Sequence, residues 1–156
     1  MKNAGFSLIE LVVAIAIGGV ILSTVMGSYL SLAKMRHNLD ITRQIQREVN
    51  FAAMRISDRA RAYSVNYEEF DTANRHFLPL GEDEFEYDAE KKNVMMNGAP
   101  LFSPNVAVTQ LKFDVFPLAP SKRVQSKITF EFKATSRVKP KISVPLRTTI
   151  SSRLIK

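Results

Sequence analysis

No cysteine occurs in this 156-residue chain. That excludes a disulfide scaffold, a thiol nucleophile and any cysteine-ligated zinc or iron–sulfur centre. It leaves the redox compartment open, since an exported protein can also lack cysteine. Histidine is scarce: His37 and His76 stand 39 residues apart, which argues against a histidine-rich metal site or a His-based relay. Proline is absent before Pro79, and neither Gly nor Pro interrupts the stretch between Tyr29 and Leu78. Enzyme signatures are missing as well: no phosphate loop, no Gly-x-Ser-x-Gly, no His-Glu-x-x-His and no EF-hand loop. The one Gly-Gly pair, Gly18-Gly19, lies inside an apolar run and cannot cradle a phosphate. We therefore assign no catalytic, cofactor-binding or metal-ligating residue and read the chain as a non-enzyme. Its 46% apolar and 24% charged residues also exclude a disordered tail or a collagen-like chain.

What is present is unevenly distributed. The formal charge of +7 divides into blocks: Lys2 alone in residues 1–5, Glu10 alone in residues 6–33, +4 over residues 34–62, −6 over 63–92 and +9 over 93–156. Residues 6–33 form a run of 28 with that single charge. As a helix it would span about 42 Å, beyond the roughly 30 Å of a bilayer's hydrocarbon core. Lys2 precedes the run and Lys34 and Arg36 follow it, so flanking charge does not set its orientation. A secretory signal peptide fits poorly. The run is about twice the expected length, and Val25-Met26-Gly27 is a weak small-x-small cleavage site. Glu10 is the feature to explain. A carboxylate at mid-membrane costs on the order of 2.5–3.5 kcal/mol, less near the edge, and is a functional hypothesis once a partner is named. If the chain were cut after Gly5, the α-ammonium of Phe6 would be that partner, from the same chain or from an adjacent, axially displaced one. The plainer alternative is that Glu10 snorkels to the headgroups.

Lys2-Asn3-Ala4-Gly5 followed by Phe6-Ser7-Leu8-Ile9-Glu10-Leu11-Val12-Val13-Ala14-Ile15-Ala16-Ile17 resembles the N-terminus of type IV pilins and type II secretion pseudopilins. The resemblance implies a leader of residues 1–5, cut after Gly5 by prepilin peptidase. It implies N-methylation of the new terminus, Phe6, and an assembly role for Glu10. It also implies a single-pass inner-membrane protein whose globular domain is extracytoplasmic and which passes into a pilus or pseudopilus. The partners implied are other pilins or pseudopilins, the inner-membrane assembly platform and membrane lipid. The chain departs from many major pilins in having no proline in the apolar half. Gly18-Gly19 remains as either a close-packing surface or a site of helix loosening.

Beyond residue 33, Ile41, Ile45, Val49, Ala52, Ile56, Ala60 and Tyr63 recur at spacings of 4, 4, 3, 4, 4 and 3, one face of a helix. Arg43, Arg47, Arg55, Arg59 and Arg61 fall on other faces, solvated or in contact with headgroups or neighbouring subunits. We read one helix over residues 6–63, membrane-embedded through 33 and amphipathic over 34–63, and a β-rich globular domain over 64–156. A short strand is possible at Phe77-Leu78. Residues 84–90 alternate strictly, with Glu84, Glu86, Asp88 and Glu90 opposite Phe85, Tyr87 and Ala89. Lys91-Lys92-Asn93 reads as the turn and Val94 to Met96 as the return strand, with Asn97-Gly98 as a second turn. Strands follow at 106–116, 127–134 and 142–150, punctuated by Pro117, Pro120 and Pro140. The fold class is α+β: a long N-terminal helix packed on one antiparallel sheet of four to six strands.

The stretches Gln44-Ile45-Gln46-Arg47, Ile56-Ser57-Asp58-Arg59-Ala60, 94–100, 106–113, 127–130 and Thr148 to Arg153 are similar to the J-type minor pseudopilin and the W-type minor pilin. That similarity implies a minor subunit. Two further readings are open. Asp83, Glu84 and Asp88 could bind calcium, although alternating carboxylates suit solvent or a basic partner better. The C-terminal cations (Lys122, Arg123, Lys127, Lys133, Arg137, Lys139, Lys141, Arg147, Arg153 and Lys156) could make the chain an anchored domain that binds DNA or another polyanion. Phe130 and Phe132 fit a buried strand face better than a stacking platform for bases.

Overall fold

The computed structural model of the chain describes residues 7–120 and 124–152. It contains one helix, α1 (Leu8–Ala62), and seven strands: β1 (Phe77–Leu80), β2 (Asp83–Asp88), β3 (Asn93–Met96), β4 (Ala99–Pro100), β5 (Val106–Phe116), β6 (Lys127–Ser136) and β7 (Ser143–Ser151). The architecture is α+β and pilin-like. The chain divides into two compact units, Met1–Asp40 and Ile41–Lys156.

The described part of the first unit is helical from Leu8 onward. Through residue 33 it is apolar around its whole circumference and exposed around its whole circumference: Leu8, Ile9, Ile15, Val20, Leu22, Val25 and Met26 are each more than 60% exposed. Water does not tolerate such a surface, and a helix apolar on all sides belongs in a core or a bilayer. Its apolar window has a mean hydropathy of 2.4, and none of it is buried within the chain. Three hydroxyls in this stretch turn back on the helix. Ser23 and Thr24 donate to the carbonyl of Val20, and Ser28 to that of Thr24, each at 2.9 Å. The helix runs through Gly18-Gly19 without a break.

In the second unit, α1 from Ile41 onward supplies one side of the core. Ile45, Val49, Ala52, Ile56 and Ala60 are at most 1% exposed, as their spacing predicts. Full burial of each large apolar side chain contributes about 1.5–3 kcal/mol, and this stripe is what fastens the helix. It packs into one cluster with Leu78, Leu80, Phe85 and Val94 and with Leu111, Phe113, Ile128, Phe130, Phe132 and Ala134. Ile41 is only partly buried, and Tyr63 lies past the helix end, 39% exposed.

The single sheet expected from the sequence is two sheets, of order β1-β2-β3-β4 and β5-β6-β7. All pairings are antiparallel. The break has a local cause. The free edge of β5 is met by loop carbonyls instead of a strand: Val108 N–H donates to Lys92 at 2.7 Å and Phe113 N–H to Arg75 at 2.8 Å. The added strand β4 is two residues long, too short to show a period in sequence. All three strand prolines, Pro79, Pro100 and Pro145, sit in β1, β4 and β7, each at the edge of its sheet, where a missing N–H breaks no ladder. The β3–β4 turn is Asn97-Gly98, with φ of 50° and 78°, the two consecutive left-handed residues that a type I′ hairpin requires.

Candidate assembly site and charged faces

The N-terminus of α1 is built by Ser7-Leu8-Ile9-Glu10. The Glu10 carboxylate accepts a hydrogen bond from the Ser7 backbone N–H at 3.2 Å. Leu11 N–H donates to the Ser7 carbonyl at 3.2 Å. This is the Glu half of a capping box, in which a residue at the third helical position returns to the N-cap. The signal for this cap in the sequence is the Ser-x-x-Glu spacing of Ser7 and Glu10. Glu10 is exposed, among apolar neighbours that are also exposed. Gly5 and Phe6, the expected cleavage and methylation residues, lie outside the described residues.

The acidic hairpin follows the alternation, with one shift. Strand β2 begins at Asp83 and ends at Asp88, so Ala89 and Glu90 fall in the turn. Glu84 and Glu86 are exposed, while Phe85 is fully buried. Asp83 points inward, 8% exposed. It accepts from Asn97 Nδ2 at 2.8 Å and lies 3.2 Å from Arg59 of α1. The calcium reading loses its geometry here, because Asp83 and Glu84 occupy opposite faces of one strand. Arg59 is likewise no solvated arginine: it ties the helix to β2, and its guanidinium lies 5.8 Å from the Tyr63 ring centroid. Asp88 accepts the Lys91 backbone N–H at 2.8 Å and pairs with the Lys91 ammonium at 3.2 Å. That backbone bond above all holds its carboxyl below the usual carboxylate range, against partial desolvation.

One contact had no signal in the hydrophobic pattern. Glu48 of α1 accepts from both the backbone N–H and the hydroxyl of Ser103, at 2.9 and 2.7 Å. The two bonds clamp the helix to the loop between β4 and β5. Glu48 is half-buried one residue before the buried Val49, a position from which a long carboxylate reaches along the helix flank.

The C-terminal cations are spread over several surfaces. Lys127, Lys133 and Arg147 project from the exposed side of β6 and β7. Arg137 donates to the carbonyls of Val106 and Lys91. Lys122, Arg123, Arg153 and Lys156 lie outside the described residues. Phe130 and Phe132 are fully buried, their rings stacked at 6.0 Å. They are unavailable for stacking on bases.

Taken together, an apolar exposed N-terminal helix and a helix-backed pair of antiparallel sheets define a membrane-anchored, pilin-like protein with a globular domain. Residues 1–26 match the family model of the prokaryotic N-terminal methylation motif, which supports the type IV pilin and pseudopilin family. The motif implies processing by prepilin peptidase and assembly with other pilins, and pilins are a structural family. No curated protein and no solved structure matches the chain.

Proposed function

We propose that this chain is a structural subunit of a type IV filament or of a type II secretion pseudopilus. The leader 1–5 is removed after Gly5, Phe6 becomes the methylated terminus, and residues 6–33 pass from the membrane into a helical filament core. Residues 34–63 carry the helix into the globular domain 64–156, which stays outside. Glu10 acts in trans, attracting the Phe6 ammonium of a neighbouring subunit and setting the axial register between helices. The observation that carries this reading is Gly5-Phe6 with Glu10 heading a 28-residue apolar run, matched by the methylation motif.

The test is mass spectrometry of the membrane form from a host with prepilin peptidase. A terminus at methylated Phe6 is expected, and one at Met1 or beyond Ser28 overturns the proposal. Gly5→Val should leave full-length precursor, because a side chain there obstructs close approach of the peptidase to the backbone. Mature protein at normal yield would show that the cut lies elsewhere.

A further inference from the structure

The globular unit has one end where α1 enters it and one where α1 stops. At the far end, Asp58, Arg61 and Ala62 of α1 line one cleft with Gln125 and Ser151. Ser151 pairs with Lys127, so β6 starts there. β6 then covers ten residues, about 33 Å. Residues 41–62 of α1 cover about the same length. β6 therefore finishes level with the entry of α1. Contacts at that end agree: Ser136 pairs with Val106, Arg137 N–H donates to the Asn105 carbonyl at 2.9 Å, and Ser103 is clamped by Glu48. The β6–β7 loop, residues 137–142, thus stands at the entry end, and it is closed on itself. Ser136 N–H donates to the Ile142 carbonyl at 3.1 Å, Ile142 N–H to the Lys139 carbonyl at 2.9 Å, and Lys139 N–H to the Ser136 hydroxyl at 3.1 Å. Val138 in this loop is 70% exposed. Arg137 also donates to the carbonyl of Lys91, which brings the β2–β3 turn alongside. Lys91, Lys92, Arg137, Lys139 and Lys141 gather there with Asp88 and Glu90 as the nearby carboxylates of the hairpin, and Asp88 is taken by Lys91. Lys92, Arg137 and Lys141 are exposed, and among the described residues no ion pair engages them.

We propose that this entry end docks on the anionic phospholipid headgroups of the bilayer that holds the chain's own apolar segment. The steps from residue 33 to residue 41 reach at most about 28 Å, however the two units are arranged. That tether holds the headgroups at high effective concentration, so individually weak contacts suffice. Each Lys or Arg close to an anionic surface shifts the docking equilibrium roughly fivefold, and the attraction fades within a Debye length. The closed loop loses little freedom on docking. Val138 among the cations suits lipid better than nucleic acid. A bilayer sets an apolar layer directly beneath its phosphates, where the valine can sit while the lysine stems lie along the boundary. The docked state needs only that the apolar segment lie in a bilayer, and it is independent of cleavage after Gly5 and of filament assembly.

The absence of cysteine permits single-site probes in the full-length chain. Val138→Cys is labelled with a fluorophore, and the chain is placed in lipid nanodiscs that carry a nitroxide quencher on their headgroups. Leu118→Cys is the comparison site, since Leu118 is 66% exposed and lies just past the Phe116–Lys127 pair at the far end. In discs of phosphatidylcholine with phosphatidylglycerol, the Val138 probe should be quenched at low salt and recover as salt rises. In phosphatidylcholine alone its quenching should be at least about threefold weaker. The Leu118 probe should stay bright in both. Lys92→Glu with Lys141→Glu should lower the ratio of docked to free chain by about tenfold or more. Should that double variant fail to fold, the salt and lipid dependence of the Val138 probe decides without it. Equal quenching in the two lipids, equal quenching at the two ends, no quenching in either lipid, or indifference of a folded double variant would overturn the docking. So would a bright Val138 probe whose emission responds only to duplex DNA, which would give the loop to nucleic acid. The N-terminal mass separates this proposal from the subunit reading. A terminus at Met1 with the expected quenching overturns the subunit reading alone, and a Phe6 terminus without quenching overturns the docking alone.

Discussion

Glu10 has two roles open to it, and they are separable at a single atom. In the described chain its carboxylate caps Ser7. After removal of the leader, the Phe6 ammonium would lie one residue upstream of that N–H. A capping box accepts Gln as well as Glu at this position, whereas an ion pair requires the charge. Glu10→Ala and Glu10→Gln should both insert and be cleaved at least as well as the parent, since each removes a charge from the membrane. Both should then fail to enter filaments, seen as lost co-purification or cross-linking to partner pilins while the membrane pool stays intact. Normal incorporation of the Gln variant beside failure of the Ala variant would assign Glu10 to helix capping instead. At the hairpin, Asp88 gives a pH prediction. Its folded-state carboxyl titrates below the ordinary value, so its contribution is fully present above the unfolded carboxylate pKa. The contribution is lost as pH falls through the lowered folded value. Chemical-shift titration of Asp88 should therefore show a low midpoint. Asp88→Asn should flatten the acid limb of the stability curve below the ordinary carboxylate range, and an unchanged limb would refute the assignment.

At the scale of elements, the hydrophobic period did most of the work. The α1 stripe and the alternation in β2, β5 and β6 could be read in advance, because burial on one face writes a repeat of 3.6 or 2 into the chain. Ile56 is completely buried at the centre of that stripe. Ile56→Ala should cost about 2–5 kcal/mol, measured by denaturant unfolding. An unchanged midpoint would mean that the stripe faces something other than the sheets. The element missed, β4, has two residues and no period to mark it; β1, expected only as a short strand at Phe77-Leu78, has four with a proline among them. Asp83, grouped with Glu84 and Asp88 in the calcium reading, shows parity overriding residue type. By type it belongs with the acidic run, but by parity it belongs with Phe85, and parity prevailed because Arg59 and Asn97 were there to meet it.

For the whole molecule, the division at Asp40 implies that the globular unit carries its own core. A chain beginning near Lys34 should fold without the apolar segment and unfold in one cooperative transition by circular dichroism. A broad, non-cooperative melt would mean that the first unit is needed for the second. The N-terminal segment and its class were legible in the sequence. A continuous apolar run and a short motif are local properties, and they act through the bilayer and a peptidase rather than through contacts within the chain. The helix stripe and the major strands were legible for the related reason that periodicity is local. The partition into two sheets was not, since it depends on which carbonyls reach the edge of β5, and Arg75 and Lys92 are brought there from 38 and 16 residues away along the chain. Nor were the Glu48–Ser103 clamp and the Arg59–Asp83 pair. Each joins residues distant in sequence, and only folding decides whether a charged side chain finds a partner within its own chain or is left for another.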